Sequence, residues 1–424
     1  MSQEVLQQPE IPAWDNDGSS RIPFWAYTNE TVYQRELQRI FYGRHWSFVG
    51  LEAELPNPGD FKRTQVGERS IILARNEDSS VTAVENICAH RGAQFCRERS
   101  GNVKEFLCPY HQWTYGLNGD LKGVPFRRGL KKDGEVRGGM PADFNPAEHN
   151  LTKLKVAVRN GVIFACFDHE VEPLEDYLGP EIIPYFDRLF NGRKLTILGH
   201  HRQHIPGNWK LMQENIKDPY HVGLLHTWFL MFGLIRGDQK SRVVMDAHGR
   251  HNAMASTREA AEPNKGAISA GISSFKEGMA LQDERIIDIK KEEWWNGPTV
   301  VMLTLFPNLI VQQQSNSMSV RQICPRDCGS FDFVWTHFGF EEDDADMTQR
   351  RLRQANMFGP AGYVSADDGE VLEFCQESFH QVRQMTGHEA IAEQGGRDWS
   401  ESKHTITENA IRGMYAYWRK LMEI

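Results

Sequence analysis

No stretch of this 424-residue chain is apolar for long enough to cross a bilayer. The nearest approach, Thr299 to Val311, is short and broken by Pro307. The N-terminus, MSQEVLQQPEIPAWDND, lacks both a basic start and an apolar h-region, so no secretory signal is expected and the protein reads as cytoplasmic. Repeats and low-complexity tracts are missing too. There is no net positive charge: the formal balance is −9, which argues against nucleic acid or an anionic membrane as partner. Seven scattered cysteines, an odd number, do not make a disulfide framework, so they need a packing reason or a metal. No G-x-G-x-x-G opens a helix after a strand, so a dinucleotide belongs on another protein. What remains is an ordinary globular composition, 40% apolar and 25% charged, long enough for two domains.

The texture changes along the chain. Thr28 reads as a helix N-cap with Thr31 at N3, followed by Val32, Leu37, Ile40 and Phe41 at roughly helical spacing. From His45 to Asp168 short β-like runs alternate with turn residues: Ser70–Ala74, Val81–Val84, Val156–Val158 and Gly161–Phe167. Helical signals return at Glu175–Phe190 and Gly207–Phe232, then a polar, glycine-rich stretch occupies 236–285. Strands are expected at Thr299–Leu305, Leu309–Gln314 and Ser330–Phe340, and helices at Thr348–Met357, Glu370–Met385 and Ile406–Met422. Glu341–Asp344 reads as a solvated loop. The expected fold is α+β: a small antiparallel β domain, 45–168, inserted between 1–44 and 169–424. Those two segments form a larger α+β domain whose antiparallel sheet is flanked by helices.

Cys88-x-His90 is followed after 17 residues by Cys108-x-x-His111. Two paired hooks of this kind can each approach a metal from a tight turn. A structural Cys₂His₂ zinc site in a non-catalytic binding protein competes for the same residues. Cys-x-His is tighter than the usual zinc knuckle, however, and two cysteines with two histidines is the Rieske [2Fe–2S] ligand set. Gly92 and Gly116 are the residues expected to supply the sharp turns. Cys96, Cys166 and Cys375 are expected to pack, and Cys324-x₃-Cys328 has no histidine nearby.

A second constellation reads Asp218-Pro-Tyr-His221 and His226. Asn208 is a natural N-cap, and Pro219 should restart the helix with Asp218 as cap. His221 and His226 lie about 140° apart on an ideal helix, so they can share a metal only where the helix is irregular. Two histidines, one carboxylate and open positions make the facial triad of non-haem Fe(II) oxygenases. Phe358-Gly-Pro-Ala-Gly362-x₄-Asp367-Asp368 offers the carboxylate, although both aspartates also suit a helix cap.

These hooks, Asp218-x₂-His221-x₄-His226 and the Gly-Pro-Ala-Gly-x₄-Asp-Asp element together resemble the large (α) subunits of Rieske non-haem iron aromatic-ring-hydroxylating oxygenases, over essentially the whole chain. The likeness is greatest to members that hydroxylate salicylate at C5, and extends to Arg21–Tyr27, Gly123–Arg128, Leu211–Trp228 and Gly413–Tyr415. Anthranilate dioxygenase-like members are also near. The resemblance implies a [2Fe–2S] cluster on Cys88, His90, Cys108 and His111, and mononuclear Fe(II) on His221, His226 and Asp368. It implies O₂ as co-substrate, with NADH acting only through a separate reductase and a ferredoxin. It implies salicylate converted to gentisate, with dioxygenation of an ortho-substituted benzoate such as anthranilate as the alternative. Asp218 would carry electrons between subunits of an α₃ or α₃β₃ assembly with a small β subunit. Phe358 and Val364 are expected as apolar pocket wall, Gln314 and Ser365 as polar orienters; no arginine stands out as a carboxylate clamp. Between Cys88 and Arg137, ten Lys/Arg against five Asp/Glu suggest a docking face for an acidic ferredoxin.

Overall fold

The computed structural model describes residues 11–14, 18–232, 240–257, 297–382 and 387–424, with scattered residues between 272 and 294. Most of the stretch 236–285 and the end of the helix expected to reach Met385 lie outside the described residues. The chain divides into two compact units, Phe41–Val171 and a second made of Met1–Ile40 with Glu172–Ile424.

The smaller unit is antiparallel β. Its main sheet runs in space Ser47–Leu51, Val162–Cys166, Lys153–Arg159, Val81–Glu85, Arg69–Arg75, Asp60–Val66, Ser100–Asn102. A separate three-stranded sheet, Glu105–Leu107, Thr114–Gly116 and Leu121–Gly123, stands beside it. Phe95, Phe106, Trp113, Tyr115 and both hook cysteines share one buried core. The hooks are therefore rooted in packed side chains rather than in floppy loops.

In the larger unit a seven-stranded antiparallel sheet begins with Leu195–Ile205. It continues through Ser330–Phe340, Ser317–Asp327, Leu309–Gln314, Val300–Leu305, Asn252–Ser256 and Ser241–Met245. From Ser241 onward this is a meander; Leu195–Ile205 closes the far edge by pairing with Ser330–Phe340. The helices Trp209–Lys217 and Ser365–Val382 position the chemistry.

Local expectations meet three corrections. Asn29, not Thr28, caps the first long helix: its side chain accepts from Val32 N, while Thr28 ends the preceding turn and donates to the Phe24 carbonyl. Helix Glu175–Phe190 is two helices, Leu174–Leu178 and Ile183–Leu189, because Gly179 takes a φ of 79° and Pro180 follows. Glu341–Asp344 is not simply solvated. Asp343 pairs with the buried Arg351 at 2.7 Å, and Asp344 caps helix Ala345–Phe358 through Met347 N.

Candidate metal centres

The two hooks are built alike. Gly92 N donates to Cys88 O, and Gln112 N donates to Cys108 O, both at 2.9 Å, so each cysteine opens a five-residue turn. The fourth position after each cysteine is left-handed, with φ 70° at Gly92 and 57° at Gln112. Gly116, expected to serve the second turn, is a strand residue, and Gln112 bears the conformation instead. Buried Asn86 fastens the first loop, accepting from Phe95 N and Cys96 N and donating to Cys96 O.

Cys88 and Cys108 are buried, whereas His90 and His111 reach the surface with ring centroids 4.5 Å apart. Trp113 stacks on His90 at 4.7 Å, nearly parallel. The Tyr115 hydroxyl lies 3.3 Å from Cys88 Sγ and accepts from Ala89 N. Burial, then the Cys88 contact, pushes the Tyr115 pKa far up, so it stays a phenol. These donors do not converge on one point: the described residues hold only one group of three whose ligand atoms lie within 4.8 Å, and it is elsewhere. A single tetrahedral zinc needs all four donors around one ion, whereas a two-iron cluster takes a cysteine pair and a histidine pair. His90 Nδ1 is buried with no hydrogen-bond partner, an orphan that an iron would satisfy.

The group that does converge is His221, His226 and Asp368. Asn208 caps helix Trp209–Lys217, accepting from Lys210 N. Asp218 ends it and starts the next turn, its Oδ1 accepting from Tyr220 N and His221 N. The restarted helix lasts only from Val222 to Leu225, and His226 leaves helical geometry at φ −96°, ψ 52°. That break is the irregularity the five-residue spacing demanded. The imidazole centroids come to 5.6 Å.

Asp368 arrives from the first turn of helix Ser365–Val382. Its Oδ1 lies 3.1 Å from His226 Nε2 and 3.6 Å from His221 Nε2, and it accepts from Asn215 Nδ2 at 3.2 Å. Burial alone would raise this carboxyl, but His226, His221 and Asn215 outweigh it and hold Asp368 below the usual range. Neither aspartate is a cap, since both lie inside the helix. Asp367 is half-exposed and meets the other face of His226, its Oδ2 3.2 Å from Nδ1. This contact was not anticipated. It fixes the His226 tautomer with Nε2 free to ligate. Asp218 Oδ2 lies 3.4 Å from His221 Nδ1 without hydrogen-bond alignment, so that nitrogen is buried and unsatisfied. The donor set, one carboxylate oxygen and two imidazole nitrogens, fits a facial Fe(II) site.

Of the expected pocket residues, Phe358 and Val364 pack together with Phe229, whose ring lies 6.0 Å from His226. Ser365 is buried but committed, donating to Gln203 Oε1 while Gln203 Nε2 donates to the Ser365 carbonyl. Gln314 accepts from Gln312 at the end of its strand, with no contact to the iron set among the described residues. Unanticipated on that sheet is Arg321, 3% exposed.

Residues 45–133 match the Rieske [2Fe-2S] domain, and residues 193–424 match the ring hydroxylating alpha subunit (catalytic domain). The chain is 63% identical to the large oxygenase component of salicylate 5-hydroxylase from a Ralstonia species, covering 98% of this chain and 97% of that protein. It is 40% identical to the anthranilate 1,2-dioxygenase large subunit of Burkholderia cepacia, covering 96% and 94%. Naphthalene 1,2-dioxygenase of a Rhodococcus species, 23% identical, shares the fold with a TM-score of 0.76 over 95% of this chain and 94% of that one. With two separate donor sets of the matching kinds, the chain belongs to the α subunits of Rieske ring-hydroxylating oxygenases, enzymes that use a [2Fe–2S] cluster, mononuclear iron and O₂.

Proposed function

We propose that this chain is the terminal oxygenase of a system that hydroxylates salicylate at C5 to gentisate, consuming O₂, NADH and a proton and releasing water and NAD⁺. The observation that carries the reading is the 63% identity, along nearly the whole chain, to a salicylate 5-hydroxylase component. The cluster would be held by Cys88, Cys108, His90 and His111, the iron by His221, His226 and Asp368. When bound, the cluster supplies single electrons and the iron supplies O₂ activation. The protein's own part is orientation. Asp367 and Asn215 fix His226 and Asp368, and Phe358 and Val364, packed with the Phe229 ring that neighbours His226, are proposed as the apolar wall. Gln314 and Ser365 are proposed as polar orienters of the ring.

Electrons would come from NADH through a reductase and ferredoxin. Arg91, Arg97, Arg99, Lys104, Arg127, Arg128, Lys131 and Lys132 are all exposed, as a docking face for an acidic ferredoxin requires. Reduction by ferredoxin then slows with ionic strength, and a rate flat in salt would remove this face. The assembly is proposed as α₃ or α₃β₃, with a small β subunit. None of the described helices is long and apolar enough to cross a membrane, consistent with a cytoplasmic enzyme.

The second reading, dioxygenation of an ortho-substituted benzoate such as anthranilate, rests on the 40% relative. Reconstitution with ferredoxin, reductase and NADH, followed by product identification, separates them. Gentisate from salicylate supports the first. A cis-dihydrodiol carrying both atoms of O₂, or product from anthranilate alone, replaces it with the second.

A further inference from the structure

Helix Ser365–Val382, which carries Asp368, is clasped to the large sheet by Gln203. The same sheet face holds a buried cation, Arg321, with no ion pair among the described residues. Arg321 lies mid-strand in Ser317–Asp327, in register between Ile310 and Trp335. Trp335 in turn pairs with His201, and the neighbouring row pairs Phe333 with Gln203. Paired residues share a face, so Arg321 stands one row from the glutamine that fastens the Asp368 helix.

The Arg321 guanidinium lies over the Trp335 ring, Cζ 3.7 Å from the centroid. Its Nε is buried with no hydrogen-bond partner, and no carboxylate pairs with it among the described residues. Trp335 Nε1 and His337 Nδ1, nearby on that face, are buried and unsatisfied as well. Burial, then the charges of His201 and Arg321, pushes His337 down to about 3, so it is neutral and brings no competing charge. Asp368 is the acid whose field reaches Arg321, and it belongs to the iron ligand set.

A protein does not ordinarily bury a charge unpaired, because nothing repays the lost hydration. Here stacking on Trp335 holds the guanidinium plane while its Nε–H stays without an acceptor among the described residues. A rigid fork of donors matches a planar carboxylate. We propose that Arg321 binds the carboxylate of the aromatic acid substrate and so sets which ring carbon faces the iron ligands. This rests on the aromatic-acid reading above and names the group that would recognise the acid.

The test uses the reconstituted holoenzyme, with Arg321→Gln and Arg321→Lys variants, and two probes: salicylate and its uncharged amide. Visible spectrum and iron content serve as fold controls. In Arg321→Gln, Kd and KM for salicylate rise about a hundredfold, as loss of one partner of a buried ionic contact does. Amide binding changes little. Arg321→Lys, a point charge without the fork, falls between. Without ligand, Arg321→Gln melts no lower than the native protein, since an unpaired buried charge has been removed. A salicylate Kd within about twofold of native in Arg321→Gln overturns the proposal. So does a fall in melting temperature of the kind a broken ion pair produces. If the native enzyme is stabilised by salicylate through Arg321 yet does not hydroxylate it, the anion site stands and the proposed reaction fails. Turnover with an unchanged KM in Arg321→Gln gives the reverse.

Discussion

Single residues around the proposed iron site divide into those placed to hold a metal and those that aim them. Asp368 presents its oxygen to both Nε2 atoms, whereas Asp367 meets only the far nitrogen of His226. Asp368→Ala is therefore expected to lose mononuclear iron and all hydroxylation, while Asp367→Ala keeps the iron with affinity or rate lowered about 10–100-fold. Iron analysis on both variants checks this, and swapped outcomes would move the ligand by one residue. The convergence of His221, His226 and Asp368 was legible because chemistry limits such donors to a few residue types. Asp367, Asn215 and Arg321 were not. The first reads equally well as a cap, and the other two gain meaning only from distant partners. Glu214 is another such residue: its carboxylate accepts from Tyr27 and Tyr415, with Lys210, Asp218 and Cys375 as the other charged or titratable groups facing it. Burial raises it to about 7, the two phenols and Lys210 opposing. A raised carboxyl binds its proton in the folded state first, so its stabilisation is full below the unfolded value and is lost as pH rises towards 7. Stability should fall by about 2 kcal/mol from pH 4.5 to 7.5, a figure discounted for partial exposure. Glu214→Gln should flatten this part of the profile, measured by denaturation across that range.

At the scale of elements, the site depends on backbone that leaves regular geometry. Three strands of the meander, Val300–Leu305, Leu309–Gln314 and Ser330–Phe340, were readable because apolar runs with turn residues survive any packing, and Leu309–Gln314 has the expected bounds; Ser241–Met245, Asn252–Ser256 and Ser317–Asp327 were not expected. Leu195–Ile205 was missed: its alternating exposure carries five consecutive polar residues, His200, His201, Arg202, Gln203 and His204, that hide its period. The hooks teach the same lesson in reverse. Both need a left-handed residue four positions after cysteine, and glycine marks only one of them. An added Cβ at Gly92 meets nothing within 4 Å, so any penalty for Gly92→Ala is conformational rather than steric. It should cost about 1 kcal/mol, about 3 °C in the thermal loss of the cluster's visible absorbance. Gln112→Gly should shift that transition by less than half as much, because relief of strain is offset by a more flexible unfolded chain. Equal losses in both variants would mean that the Gln112 side chain, rather than its backbone, supports the second hook.

For the whole molecule, the sequence indicated two units and their two donor sets, but neither composition nor spacing says how an electron passes between centres. The compact units divide at Phe41 and Val171, whereas strand texture suggested 45 and 168. Asp218 bears on the question because it does two things at once. Its Oδ1 caps the restarted helix through Tyr220 N and His221 N, while Oδ2 sits 3.4 Å from His221 Nδ1, a nitrogen left buried and unsatisfied. Burial would lower His221, but the Asp218 carboxylate first and Asp368 next more than offset it, so His221 is raised. In the proposed α₃ ring this carboxylate would link His221 to a cluster histidine of the neighbouring chain. Capping and electron transfer can be separated by substitution. Asp218→Asn keeps an oxygen to cap the turn and removes the charge, whereas Asp218→Ala removes both and should cost about 1 kcal/mol of stability in addition. Both variants should retain the Rieske spectrum, the mononuclear iron and the native oligomer by sedimentation, while NADH-driven turnover falls by orders of magnitude. The reduced cluster should then fail to reoxidise when O₂ and substrate are added to the isolated protein. Near-normal turnover in Asp218→Asn, or a fully active monomer, would show that the electron reaches His221 by another route.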